Sequence, residues 1–177
     1  MKEELLKVMP EFGQVRDPGL REKTIQVWLG AMKEAGWTFD DLARMPFTLL
    51  IEKTPVSLVA HTLAITRTSL AVADVLEAEY RGRVPLRRDI LLSGALLHDV
   101  GKMFEYQKSE GRFVKSEGGE LLRHPVSGAA FAYKLGLPQE VVHIIAAHSQ
   151  EGDGLRRTVE AIIVNHADFV NFDVLKR

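Results

Sequence analysis

Leu96-Leu97-His98-Asp99-Val100-Gly101-Lys102 is the stretch that decides how this chain is read. It closes residues 87–99, which are apolar all round (Ile90, Leu91, Leu92, Ala95, Leu96, Leu97), so the pattern predicts a central buried helix stopping near Gly101. A carboxylate at the end of such an element is costly unless it is paired or metal-bound. A solitary His-Asp pair at a helix end could simply reach water. What the flanking segments carry makes that reading the weaker one here.

Upstream, residues 55–80 read as one long helix with Leu58, Ile65, Val72 and Leu76 at the 3.6-residue period. His61 falls three residues after Leu58 and four before Ile65, so its ring is expected on the inward face. Asp17-Pro18 has the form of an N-cap followed by proline at the first helical position. Gly36 is the matching stop, which gives a helix over Pro18–Ala35. A short helix is expected over residues 40–44, and Pro46 and Pro55 frame a loop. The first 50 or so residues show no chemical motif.

Downstream, residues 104–120 are rich in glycine and charge, with turn chemistry at Ser109-Glu110-Gly111 that suits a small hairpin near residues 104–116. His124-Pro125 opens a helix to about Leu135. Gly136-Leu137-Pro138 separates it from another that reaches His148, and residues 155–175 form the last. The expected fold is an all-α bundle with one possible hairpin, a single domain over residues 1–177. Residues 1–54 would be a helical extension and residues 55–177 the functional core.

Composition narrows the function. Apolar residues make up 46% and charged residues 27% of 177, the balance of a globular chain. No apolar run approaches the ~20 residues of a membrane span, and the start lacks the layout of a signal peptide, so a cytoplasmic protein without membrane partners is expected. Cysteine is absent, so a metal would be held by imidazole and carboxylate alone. A net charge of −1 gives no global attraction to nucleic acid. Arg81, Arg83, Arg87 and Arg88 form a local basic cluster, read as a solvated helix end more readily than as an anion-steering patch.

Two further polar residues, His148 and Asp168, interrupt apolar stripes. His148 follows Val141, Ile144 and Ile145 at seven, four and three residues, on the buried side of its helix; His143 lies about 140° away and is expected at the surface. Asp168 sits among Ala161, Val164, Phe172 and Leu175, where an unpaired carboxylate is strongly disfavoured. His166 is on the opposite side of that helix with Val159, Ile163 and Val170, and periodicity alone leaves it open as a ligand. His124, before a proline at a helix start, is free to point towards a cleft.

Together these residues resemble the HD superfamily of metal-dependent phosphohydrolases, whose ordered signature is a histidine, then His-Asp, further histidines and a late aspartate. His61, His98-Asp99, His124, His148 and Asp168 follow that order at separations of 37, 26, 24 and 20 residues, and residues 96–102 look like the extended form of the motif. The resemblance covers residues 55–172 and demotes His166. It implies one metal on His61, His98, Asp99 and Asp168, a second on His124 and His148, and Asp99 bridging the two. The stretch Ala147-His148-Ser149-Gln150-Glu151-Gly152 departs from the cyclic-dinucleotide branch, which has a longer His-His-Glu and Gly-Tyr-Pro signature.

The implied activity is hydrolysis of a phosphomonoester or phosphodiester in a nucleotide or related small metabolite, with Asp99 and Lys102 as catalytic residues. Such a donor set suits Mn²⁺, Fe²⁺, Ni²⁺, Zn²⁺ or Mg²⁺, and a bound ion lowers the pKa of its water to as little as ~7, making hydroxide the expected nucleophile. Lys102 would add positive charge towards the phosphate; a solvated lysine is the competing reading. For the general acid, His166, His143 and Lys102 are open. Similarity to exoribonuclease-associated HD domains between His98 and His124 keeps short RNA as a second substrate. The contrasting function is a helical ligand-binding or regulatory module with a metal and little turnover.

Overall fold

A computed structural model describes residues 1–52 and 54–177. The chain opens with α1 (Lys2–Val8), a 3-10 turn (Pro10–Gln14) and α2 (Pro18–Ala35). The Asp17 side chain accepts from the Leu20 N–H, and Gly36 takes the left-handed conformation at φ 74°, so both ends of α2 stop where the sequence predicts. Next come α3 (Phe39–Arg44), with a Thr38–Asp41 capping box, and the long α4 (Leu58–Tyr80). The loop between them is closed at its base by Phe47 N–H to Val56 O and Leu58 N–H to Met45 O.

Helix α5 (Arg88–Leu97) is the buried element expected, with every residue from Leu91 to Leu97 inside. A single turn, α6 (Lys102–Glu105), leads into the antiparallel hairpin of β1 (Tyr106–Ser109) and β2 (Arg112–Lys115). Its two-residue turn puts Glu110 and Gly111 at φ 50° and 76°, the doubly left-handed geometry that favours this tight connection. The chain finishes with α7 (Glu117–Leu121), α8 (His124–Lys134), α9 (Gln139–Ala147) and α10 (Val159–Leu175). The fold is therefore mostly helical with one small hairpin.

Several details differ from the expectations. Helix α4 begins at Leu58, where Ser57 caps it, and α10 begins at Val159, where Thr158 caps it; each hydroxyl supplies a local stop that periodicity does not reveal. Val72 is 38% exposed; the inward stripe of α4 is Leu58, His61, Thr62, Ile65, Thr66, Ser69 and Ala73. Contrary to the expectation that no run approaches a membrane span, α4 is long and apolar enough for one by length and composition, although it packs on α5 and α10 as a core helix does. Half of the basic cluster is tied into ion pairs: Arg87 with Glu140 and Glu160, Arg88 with Asp74 and Glu77.

Two apolar clusters organise the interior. The larger joins α1, α2 and α3 to α5, α8 and α9 through Trp28, Met32, Leu96 and Val141 among others. The smaller contains Ile65 of α4, Leu91 and Ala95 of α5, Ile144 of α9 and Val164 of α10. Ile65, Ala95, Ile144 and Val164 lie three or four residues, about one helical turn, from His61, His98, His148 and Asp168, so a single packed layer sets the positions of four polar side chains.

Candidate metal centre

His98 and His148 are positioned by the same device. Each follows the last residue of a buried helix, and each ring Nδ1–H donates to a carbonyl three residues back, Ala95 O at 2.7 Å and Ile145 O at 2.8 Å. A carbonyl can only accept, so Nδ1 carries the proton and Nε2 is left as a bare lone pair. Both Nε2 atoms are buried without a hydrogen-bond partner among the described residues. They also lie at the C-terminal ends of α5 and α9, where the helix dipole favours positive charge.

His124 is held differently. Glu105 Oε2 accepts from both its backbone N–H and its ring Nδ1–H, at 2.6 Å each, so the ring is pinned and not free as its position before a proline suggests. Burial, opposed by the bond from Glu105 and reinforced by the charge of Lys102, lowers its pKa to about 4, which keeps the imidazole neutral near pH 7. Burial would raise Glu105 itself, but its bonds to His124 hold it below the usual carboxylate range. Among the described residues His61 has no such support on Nδ1; instead it stacks on Phe47 at 4.4 Å and 28°.

All six side chains converge. Asp99 is 1% exposed, and its two oxygens face different groups. Oδ2 lies 3.4 Å from His61 Nε2 and 3.3 Å from His98 Nε2, while Oδ1 lies 3.3 Å from His124 Nε2 and 3.6 Å from His148 Nε2. Asp168 Oδ1 is 3.0 Å from His61 Nε2. Two donors each ~2.1 Å from one ion stand about 3.0–3.4 Å apart in octahedral or tetrahedral arrangement. Four of the five spacings fall in that range and the fifth, 3.6 Å to His148, is slightly longer; Asp99 Oδ1 has no hydrogen bond among the described residues. Donor type, spacing and orphaned lone pairs therefore all fit divalent cations. The two overlapping groups, His61-His98-Asp99 and Asp99-His124-His148, share Asp99.

Electrostatics agree. Burial opposes ionisation of Asp99, yet the Lys102 ammonium at 2.6 Å and the surrounding imidazoles keep its carboxyl well below the usual value. Burial likewise opposes ionisation of Asp168, but the bond to His61 brings it down to about 2. Burial lowers His61; burial also works to lower His98, but the charge and hydrogen bond of Asp99, the charge of Asp168 and the bond to the Ala95 carbonyl together raise it. Lys102 is 7% exposed, its ammonium 5.7 Å over the Phe47 ring, and it begins α6 instead of sitting in solvent.

The other histidines stand apart. His166 is exposed on α10. His143 is half-buried, and not at the surface as expected, because its Nε2 accepts the Thr158 N–H at 3.3 Å across the start of α10.

A cavity of about 260 Å³ opens onto the cluster, lined by Lys102, His124 and Asp168 together with Lys115, Arg123 and Lys176. Phe47, Thr48, Leu49 and Leu50 also line it, so the segment without a chemical motif supplies one wall. Sequence reasoning missed these residues, Glu105 and Arg123. Glu105 lay in a stretch read only for its turns. The adjacency of Arg123 to His124 was the one available hint.

Comparison with known proteins gives a consistent result. The family described as the HD domain matches residues 58–171, which include all six converging side chains. The chain is 32% identical over 167 residues to the dihydroneopterin 2′,3′-cyclic phosphate phosphodiesterase of Methanocaldococcus jannaschii, covering 88% of this chain and 64% of that protein. It is 34% identical over 111 residues to ribonuclease Y of Thermobifida fusca, covering 63% of this chain and 19% of that one. For ribonuclease Y of Rubrobacter xylanophilus the match is 32% over 115 residues, 65% of this chain and 18% of the relative. The chain thus spans less than two thirds of the first relative and under a fifth of the ribonucleases. No solved structure matches it.

Proposed function

Because the chain belongs to the HD-domain family of metal-dependent phosphohydrolases, we propose that it hydrolyses a phosphoester of a small metabolite, foremost a cyclic phosphodiester. The observation that carries this reading is the two-sided environment of Asp99, one oxygen towards His61 and His98 and the other towards His124 and His148. In this proposal His61, His98, Asp99 and Asp168 hold one divalent ion, His124 and His148 hold a second, and Asp99 bridges them. Mn²⁺, Fe²⁺, Ni²⁺, Zn²⁺ and Mg²⁺ are the candidates. When bound, such ions supply Lewis acidity, acidifying water and neutralising phosphate charge.

The chain's own groups do the rest. Glu105 fixes the tautomer and direction of His124, and the Ala95 and Ile145 carbonyls do so for His98 and His148. Lys102 lines the cleft beside Asp99, so its ammonium is in place to meet a phosphate oxygen. Of the three residues weighed for the leaving oxygen, Lys102 is the one that lines the cleft; His166 is exposed on α10 and His143 is engaged with Thr158. Arg123 reaches Glu105 and Glu151 only through Nε, at 3.4 and 3.6 Å. No hydrogen bond among the described residues uses its two terminal nitrogens, the geometry suited to bidentate capture of phosphate.

A cyclic phosphodiester is favoured by the name of the archaeal relative and by the size of the cavity. Short RNA is the second substrate, favoured by the ribonuclease Y matches. Purified chain loaded with Mn²⁺ or Fe²⁺ should hydrolyse a nucleoside or dihydroneopterin 2′,3′-cyclic phosphate faster than a short oligoribonucleotide. Metal bound with no hydrolysis of any ester would leave the ligand-binding module as the better account.

A further inference from the structure

Resting on the reading that this cleft takes a phosphoester, we propose that it also contains a subsite for a planar heteroaromatic ring, built on Phe169 with Gln150 at the ring's edge. Helix α10 presents Asp168, Phe169, Phe172 and Lys176 to the cleft. By the 3.6-residue period these four lie within an arc of about 100°. Asp168 belongs to the metal centre, so one helix face continues from that centre into two rings and a cation.

The two rings differ in what already occupies them. Phe172 stands edge-on to Phe47 at 6.2 Å and 72°, with the Lys176 ammonium 5.7 Å over its face. Phe47 in turn is stacked against His61. Phe169 is half-buried, lines the cleft and makes no ring or cation contact among the described residues. This ring, next in sequence to the carboxylate of the metal centre, is taken by no other ring or cation among the described residues, and offset stacking of a second ring is the contact an aromatic face prefers.

The rest of the lining fits the same ligand. Leu50 is 74% exposed at the cleft, apolar surface that a bound ring would cover. The Gln150 carboxamide also lines the cleft and has no side-chain hydrogen bond among the described residues. A carboxamide presents a donor and an acceptor side by side, the complement of the N–H and C=O edge of an oxopurine or a pterin. Alkyl and sugar phosphates have neither that edge nor a face to stack. A cavity of about 260 Å³ suits one bicyclic ring with a short phosphorylated arm.

Neopterin fluoresces and carries no phosphate, so its binding reads the ring subsite without turnover. In fluorescence titration of the metal-loaded protein, Phe169→Ala should weaken neopterin binding about 10-fold, and Phe169→Tyr should retain it. In steady-state kinetics Phe169→Ala should raise KM for guanosine 2′,3′-cyclic phosphate about 10-fold more than KM for glycerol 1,2-cyclic phosphate. Neopterin affinity unchanged in Phe169→Ala, an equal KM rise for both esters, or a loss in Phe169→Tyr as large as in the alanine variant would each overturn the subsite. Neopterin binding lost in Phe169→Ala without hydrolysis of any cyclic phosphate would uphold the subsite while removing the hydrolase reading. Hydrolysis with neopterin binding indifferent to Phe169 would do the reverse.

Discussion

Asp99 faces four imidazoles and an ammonium from inside the protein, a cluster whose orphaned lone pairs suit divalent cations. Asp99→Ala is therefore expected to abolish both metal binding and hydrolysis, read by elemental analysis and by turnover of a cyclic phosphate. His143→Ala removes one acceptor at the start of α10 and should cost about 1 kcal/mol of stability with metal content and activity nearly intact. Equal losses in the two variants would show the face assignments to be wrong. Glu105→Gln tests the support of a single ligand. The amide can no longer accept charge-assisted bonds from the backbone N–H and ring Nδ1–H of His124, so metal affinity at the His124–His148 side should fall about 10–100-fold while the other side retains its ion. Titration with Mn²⁺ followed by calorimetry separates the two.

At the scale of elements, the centre depends on how closely α8 can approach the turn after α5. A Cβ on Gly101 would meet the His124 carbonyl oxygen at 2.0 Å and Gly128 N at 2.7 Å, both backbone atoms that cannot swing away. Gly101→Ala should destabilise the fold by about 1–3 kcal/mol and, by pushing out the start of α8, weaken metal binding as well. A change in urea midpoint with metal affinity untouched would show that α8 does not need this approach. Elsewhere in the fold, Asp41 ties α3 to the hairpin: the bond from Lys108 outweighs burial and, with the Thr38 N–H, lowers its pKa from 3.8 to about 2. A depressed folded-state pKa stabilises above the unfolded value and is lost as pH falls through the folded one. The stability difference between wild type and Asp41→Asn, about 1 kcal/mol at pH 6, should accordingly shrink between pH 4 and 2. A difference independent of pH would assign it to the cap alone.

For the whole molecule, the six side chains come from α4, the ends of α5 and α9, the start of α8, and α10, so cations would fasten elements that are distant in the chain. Ions that bind only the folded state stabilise it by mass action, about 2.7 kcal/mol at 100 times Kd. Mn²⁺ at that excess should raise Tm by roughly 5–10 °C and a chelator should reverse it. No shift in Tm with metal demonstrably bound would mean that the unfolded chain binds the ion as tightly as the folded one, so that the six side chains form no site that needs the fold.

The sequence by itself determined α2, α3, α4, α5, α8, α9 and α10, the hairpin and the order of the six polar side chains, because periodicity, caps and glycine turns are local properties that need no partner; the short α1, α6 and α7 came only with the structure. It also determined the inward face for His61, His148 and Asp168, since each interrupts an apolar stripe. Only the tertiary structure decided that Glu105 pins His124, that His143 is engaged at the α10 cap, and that Phe47 to Leu50 wall the cleft. Those contacts join residues whose separation in the chain carries no periodic signal; a carboxylate in a turn and an aromatic in a loop look alike whether or not a distant helix closes on them.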